Sequence, residues 1–261
     1  MSCYKNDNSN HLNTAIESIF NSSVLPDQFV IVIDGPISIE IELVLESCVK
    51  KFPVIELQKL TENHGLGYAL NFGLDKCKNN LVARMDSDDI NCYYRFEKLL
   101  KEFRINNDLV VCGTFIEEFI DGSSKKLIRR VPLLKKDIFA RGKYRNPLNH
   151  VSVMFNKSKI IEVGSYESVP FFEDYYLWIK LLMNDCEIKS INYIGVNVRA
   201  GNDMVSRRSG FNFIKNEFNF LIKSYRLSYI NILTLFVNLI IRIPIRLLGP
   251  LNNLTYKYIL R

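Results

Sequence analysis

Several functional classes lack their marks in this chain. Its six cysteines (Cys3, Cys48, Cys77, Cys92, Cys112 and Cys186) never fall in a C-x-x-C spacing. That leaves no zinc site or disulfide framework to build on and favours a reducing, cytoplasmic setting. No apolar segment opens the chain, which begins Met1-Ser2-Cys3-Tyr4-Lys5-Asn6-Asp7, so no signal peptide is predicted. No run reaches the roughly twenty apolar residues of a spanning helix. No glycine-rich loop ends in Gly-Lys-Ser/Thr, and the polar loop 62–67 is neither a P-loop nor a dinucleotide fingerprint. With 48% hydrophobic and 24% charged residues, the chain is not mainly disordered. Its 261 residues suffice for one large α/β domain, or for one domain and an appendage.

What is present is organised around Leu81-Val82-Ala83-Arg84-Met85-Asp86-Ser87-Asp88-Asp89. A short apolar run with Val reads as a buried strand. No strand needs three carboxylates at its carboxyl end, and in an open α/β sheet that edge is where ligands bind. Asp86 and Asp88 are two residues apart and so point the same way on an extended chain. Hard divalent cations are held by one or two carboxylates together with substrate phosphates. The stretch therefore reads as a strand-end metal site for a phosphate-bearing ligand. The bland alternative is an Asp-rich turn capping the next helix.

Elements alternate on either side. Asn10 offers an N-cap, and Leu12, Ala15, Ile16, Ile19 and Phe20 recur at helical spacing. Phe29 to Ile33 reads as a strand closed by Asp34-Gly35-Pro36, 39–49 as a helix, and 54–57 as a strand. A helix is predicted over 68–77 and another over 93–105. A strand over 109–120 ends in Asp121-Gly122, a hairpin signal. Strands follow at 151–155 and 188–198. The pattern predicts a mostly parallel central sheet flanked by helices. Its strand ends carry Tyr4-Lys5-Asn6, Asp34-Gly35, Asn63-His64-Gly65 and Asp86 to Asp89, the walls of a nucleotide site. Residues 125–145 are basic, which suits either a solvated face or a surface for an anionic acceptor or a membrane. Glu173 and Asp174 open a helix over residues that include Trp178, where acids are favoured in any case.

Residues 211–261 carry seven Lys/Arg against one acid, Glu217, which accounts for the whole net charge of +6. That placement points to an anionic surface and not to nucleic acid. Tyr229 to Ile241 is apolar nearly all round and is followed by Arg242, Pro244 and Arg246. It reads as a helical appendage lying in a membrane interface, with Arg242, Arg246, Lys257 and Arg261 near headgroups and Tyr256 and Tyr258 in the interface. The alternative is a helix closing the core. The boundary falls between a domain over 1–210 and a tail over 211–261.

The order Tyr4-Lys5-Asn6, Pro26-Asp27, Asp34-Gly35-Pro36, Asn63-His64-Gly65-Leu66, Asp86-Ser87-Asp88-Asp89 and Glu173-Asp174-Tyr175 resembles family 2 glycosyltransferases, over roughly residues 1–210. The likeness is to bacterial enzymes of O-antigen and exopolysaccharide assembly, of the amylovoran type. It implies a GT-A fold, a nucleoside-diphosphate sugar donor (UDP), and a divalent metal, manganese or magnesium. It also implies a polyprenyl-diphosphate-linked saccharide acceptor and a peripheral position on the inner leaflet of the cytoplasmic membrane. Carried over residue by residue, Tyr4 and Asp34 would line the base pocket, and Asn63 and Gly65 would face the nucleoside and ribose. Arg84 and Asp86 would contact ribose or phosphate, and Asp88, with Asp86, would hold the metal. Asp174 would be the catalytic base with Glu173 beside it. Arg207 and Arg208 would close on the diphosphate, and His150 would lie on the acceptor side.

The likeness departs at the start, where only Met1 to Cys3 precede Tyr4. This implies a shortened first strand and a reduced base pocket. It favours a competing reading, a non-catalytic membrane-associated partner with the same fold, which Asp86, Asp88 and Asp174 oppose. A nucleotidyltransferase is a third reading; the downstream Glu173-Asp174 pair and the lack of an early Lys-bearing phosphate loop weigh against it.

Overall fold

The computed structural model describes residues 1–200 and 210–248. The first half alternates as the pattern predicts: β1 (Ser2–Cys3), α1 (Ser9–Phe20), β2 (Phe29–Asp34), α2 (Ile39–Lys51), β3 (Ile55–Leu60), α3 (Leu66–Lys76) and β4 (Leu81–Ala83). Strand β2, Phe-Val-Ile-Val-Ile-Asp, is buried at every position. That is the signature of a parallel strand covered on both faces. It pairs in parallel with β1 (Ser2 beside Val32) and with β3 (Ile31 beside Leu57). The cap of α1 lies two residues earlier than expected. The Asn8 side chain accepts from the backbone N–H groups of Asn10 and His11 at 3.0 and 3.1 Å, satisfying donors the first turn leaves open.

The parallel pairing holds through this first sheet, and a second, mixed sheet follows. Its members are β4, β5 (Ile90–Asn91), β6 (Leu109–Phe119), β7 (Lys126–Arg129), β8 (Met154–Asn156) and β9 (Glu187–Arg199). The long strands β6 and β9 are parallel neighbours, while β8 runs antiparallel to both β4 and β6. The Asp121-Gly122 signal marks a hairpin: β7 folds back on β6, with Lys126 beside Phe119. The strand predicted over 151–155 is shorter, because residues His150–Ser152 form a 3₁₀ turn before β8 begins.

Helices α4 (Arg95–Ile105), α5 (Lys135–Arg141), α6 (Lys157–Glu162) and α7 (Glu173–Met183) complete this half. One core joins α1, α2 and α4 to the sheets through Leu12, Ile31, Leu45 and Leu99. A second gathers Val111, Phe155, Leu177 and Trp178 around α7, and a small third one, Val30, Val32 and Ala69, lies between β2 and α3.

Two further helices, α8 (Phe211–Arg226) and α9 (Ile232–Leu248), join that second core through Phe213, Phe220, Leu221 and Leu235. Helix α9 runs through Pro244 and does not stop before it, although proline offers no N–H to the carbonyl of Ile240. None of the helices among the described residues is long and apolar enough to cross a membrane.

Candidate active site

The carboxyl ends of β1, β2 and β4 and the first turns of α3 and α7 open onto one cleft of about 750 Å³. At its floor Asp34, 5% exposed, ends β2. Its Oδ1 accepts from the N–H of His64 at 2.8 Å, and its Oδ2 accepts from Gly65 N and Asn63 Nδ2, both at 3.0 Å. A carboxylate has about four acceptor positions, so three of them are spent on shaping this loop. Gly35 makes the approach feasible. Its φ is +86°, and a Cβ there would stand 2.7 Å from Asn63 N. Asn63 and Gly65 thereby line the cleft, as does Tyr4, which is exposed just past the end of β1.

Beyond β4 the carboxylates gather. Arg84 is 4% exposed and donates to the Met85 carbonyl and to Asp86 Oδ1. Arg84, expected to contact ribose or phosphate, is not among the side chains that line the cleft, although Asp86, which it pairs with, is. Its guanidinium lies behind Asp86 and fixes that side chain. Arg95, fully buried, donates to the carbonyls of Arg84 (2.5 Å) and Val151 (3.1 Å) and to Asn91 Oδ1 (3.1 Å). It ties the strand end to the 3₁₀ turn, and burial brings it down to about 9. Burial, then the charge of Asp86, pushes Asp88 above the usual carboxylate range. The same causes, with Asp88 added, raise Asp89 to about 8. Asp89 Oδ1 accepts from Arg199 N at 2.9 Å. Asp7, raised to about 6 by burial, joins them through Ser87.

Like charges packed this closely favour a cation among them. All the donors are hard oxygens, which suits magnesium or manganese and not a soft metal. Among the described residues no group of three His, Cys, Asp or Glu is arranged to hold an ion unaided. An ion bound here would take one or two carboxylates and complete its shell from phosphate and water. Asp86 and Asp88 are the pair that would hold it.

Across the cleft stands the start of α7. Asp174 Oδ2 accepts from Asn146 Nδ2 at 2.7 Å. Glu173 is raised to about 7, first by burial and then by Asp174. It packs under α3, where a Cβ on Gly67 would meet Glu173 Cγ at 3.2 Å. Phe171, half exposed at the lip, has φ +72°, a conformation that costs a bulky residue about 1–2 kcal/mol. His150 is held neutral: burial lowers it to about 4, and its Nε2 lies 2.9 Å from the Tyr166 hydroxyl. It lines the cleft on the Asp174 side.

The last wall comes from the tail, and here expectation and structure part. Arg242 and Arg246 are 5% and 6% exposed, so they do not lie out among headgroups. Both converge on Glu217 of α8, at 3.0 Å each, and Arg242 also donates to the Tyr144 carbonyl. The reason is the period of α9: Thr234, Asn238, Arg242 and Arg246 recur every four residues and make one polar stripe, which turns inward. Leu233, Phe236, Ile240 and Leu247 are left on the outside, at 56–71% exposure.

One cleft thus collects Tyr4, Asp34, Asn63, Gly65, Asp86, Asp88, His150, Glu173 and Asp174. Arg207 and Arg208 lie outside the described residues, as do Tyr256, Lys257, Tyr258 and Arg261. Sequence reasoning passed over Asp7, Asn146, Arg199 and the Glu217 cluster. Asp7 stood beside the Tyr4-Lys5-Asn6 segment, and Glu217 stood out as the single acid of a basic tail. Asn146 carried no local signal, since its partner is 28 residues away.

Residues 1–168 match the profile described as "Glycosyl transferase family 2". The chain is 36% identical over 263 residues to an Escherichia coli UDP-Gal:alpha-D-GlcNAc-diphosphoundecaprenol beta-1,3-galactosyltransferase, covering all of this chain and 95% of that one. It is also 36% identical over 227 residues to the amylovoran biosynthesis glycosyltransferase AmsE of Erwinia amylovora, covering 87% of this chain and 83% of that one. In fold it is similar to a mannosyltransferase from Pyrobaculum calidifontis, solved in complex with GDP-Man and Mn²⁺. The TM-score is 0.65 at 11% identity, covering 86% of this chain and 63% of that one. Staphylococcus aureus TarS 1–349 in complex with UDP-GlcNAc gives 0.64 at 14% identity, covering 85% and 65%. The two-sheet α/β architecture is accordingly GT-A-like, and by both its profile match and its full-length relatives the chain belongs to glycosyl transferase family 2.

Proposed function

We propose that this protein is an inverting glycosyltransferase. It would move a hexose from a UDP-sugar to a saccharide carried on a polyprenyl diphosphate, in the assembly of a bacterial surface polysaccharide. The single observation that carries the reading is the juxtaposition of Asp174, held by Asn146, with the Asp86–Asp88 edge across one cleft. The relatives' names supply the donor and acceptor classes, with galactose the first sugar to screen.

The chemistry follows from the placement. An acceptor hydroxyl has too high a pKa to attack unaided, so Asp174 takes its proton as the new C–O bond forms. The bond from the anomeric carbon to the donor phosphate breaks in the same displacement, and the configuration inverts. Tyr4 and the loop pinned by Asp34 receive the nucleoside. Asp86 and Asp88 would hold a divalent cation, which would supply charge neutralisation for the departing diphosphate. Glu173, protonated up to about neutral pH, keeps a second negative charge away from Asp174.

The protein would work on the inner face of the cytoplasmic membrane. Supporting this, the outer face of α9 is apolar where a helix of a water-surrounded domain is polar.

The test is titration with UDP, with and without manganese, followed by transfer assays. Metal-dependent UDP binding is expected, lost in Asp88→Ala. Asp174→Asn should keep UDP binding and lose transfer by about 10²–10⁴-fold. UDP binding without acceptor-dependent transfer would favour a non-catalytic partner, and no UDP binding at all would overturn the donor assignment.

A further inference from the structure

The lining of the cleft divides by charge. The ends of β1, β2 and β4 bring Asp7, Asp34, Asp86, Asp88 and Asp89, with Arg199 bonded to Asp88 and Asp89, and the side of Asn146 and α9 brings Arg145, Arg242 and Arg246, with Arg129 from β7. Among the described residues, Glu118 and Glu217 line that second side beside four arginines. The donor's diphosphate already has a place by the first end, where a cation would meet it. A second arginine-rich wall has no use in that half of the reaction.

The second end is tied to an apolar surface by a single helix. Helix α9 puts Arg242 and Arg246 against the cleft and Leu233, Phe236 and Ile240 on the outside. Its inner stripe also grips the turn that carries Arg145. Asn238 Nδ2 donates to the Lys143 carbonyl at 3.0 Å, and Arg242 donates to that of Tyr144. From the other side, the Tyr175 hydroxyl donates to Gly142 O at 2.8 Å. Arg145 is thus the cleft-lining cation of a clamped segment, and it directly precedes Asn146, which holds Asp174. A cation stands one residue from the group that positions the base. An apolar outer face begins on the helix that clamps it.

We infer that this basic end, with Arg145 as its leading side chain, binds the diphosphate of the lipid-linked acceptor. The inference rests on the proposed function for its choice of acceptor. The diphosphate would lie against Arg145 and the Arg242–Glu217–Arg246 cluster, and the first sugar would reach back to Asp174. The prenyl chain would leave along α9. Guanidinium groups suit this task because they pair with phosphate oxygens in a two-pronged geometry that lysine lacks.

Direct binding tests this without relying on turnover. The full chain is titrated with farnesyl diphosphate, with farnesol, and with farnesyl diphosphate in the presence of saturating UDP and manganese. Saturable binding of the diphosphate is expected, with none of farnesol and no competition by UDP. Arg145→Gln should weaken it at least tenfold, and Arg145→Lys should restore part of the loss. Melting curves serve to exclude a misfolded variant, and UDP affinity should be the same in all three proteins. Competition by UDP would overturn the inference by assigning these arginines to the donor. Equal affinity in Arg145→Gln would overturn it as well. Should the diphosphate bind as expected while acceptor-dependent transfer fails, the subsite stands and the proposed reaction falls.

Discussion

At the scale of single residues the cleft depends on one backbone conformation and on the ionisation of buried side chains. Gly35 has a left-handed φ of +86° and no space for a Cβ against Asn63. Gly35→Ala is expected to destabilise the protein by at least about 1–2 kcal/mol, the cost of that conformation for an L-residue. It should also weaken UDP binding, since the Asn63 loop must move; urea unfolding and calorimetry read the two effects. Glu173 has a pH signature. Its folded-state pKa of about 7 lies above the ordinary 4.5, so the native protein holds a proton that the unfolded chain has released. Its contribution to stability is fully present below about 4.5 and is lost as pH rises through about 7. His150, lowered to about 4, works in the opposite sense: its contribution is present above 6.5 and is lost as pH falls through about 4. The difference between wild type and Glu173→Gln isolates the carboxyl. That difference should change between pH 4.5 and 7 when stability is measured by denaturant at each pH.

Among the elements, α8 and α9 are joined by a buried carboxylate between two guanidinium groups. Such a cluster adds little over an apolar contact, but breaking it leaves buried charge without its partner, which costs about 3–5 kcal/mol. Glu217→Gln is therefore expected to lower the melting temperature strongly. Amide exchange should rise first in α9 and in the 142–146 segment, which Asn238 and Arg242 hold by its carbonyls. The basic half of the cleft should loosen with them, while the half built on β1, β2 and α3 should retain the UDP binding proposed for it.

For the molecule as a whole, the question is what covers the outer face of α9. A large apolar side chain is worth about 1.5–3 kcal/mol on full burial. Replacing Leu233, Phe236 and Ile240 together by serine is expected to reduce sedimentation with anionic lipid vesicles at least tenfold. UDP affinity should be unchanged, because those side chains point away from the cleft. Equal sedimentation of the two proteins would mean that this face does not meet lipid.

The order of strands and helices, the loops at the strand ends and the Asp86–Asp88 edge were legible in the sequence because each rests on local spacing. A period of two or of 3.6, a turn residue, or a pair of acids two apart is written within ten residues. Helix α9 shows the limit of such reading. Its apolar excess was plain, but Pro244 and the arginines suggested a short helix with charges in the interface. The stripe Thr234, Asn238, Arg242 and Arg246 has a period of four and could have faced either way. Which way it faces was decided by Glu217, 25 residues from Arg242, and by the carbonyls of Lys143 and Tyr144, which only the folded chain brings near. Asn146 reached Asp174, 28 residues on, in the same manner. The sequence by itself determined the family fold and the carboxylate edge after β4, whose groups are contiguous along the chain. Tertiary structure alone decided the basic wall, because its polar groups come from distant segments and can be buried only when each has found its partner.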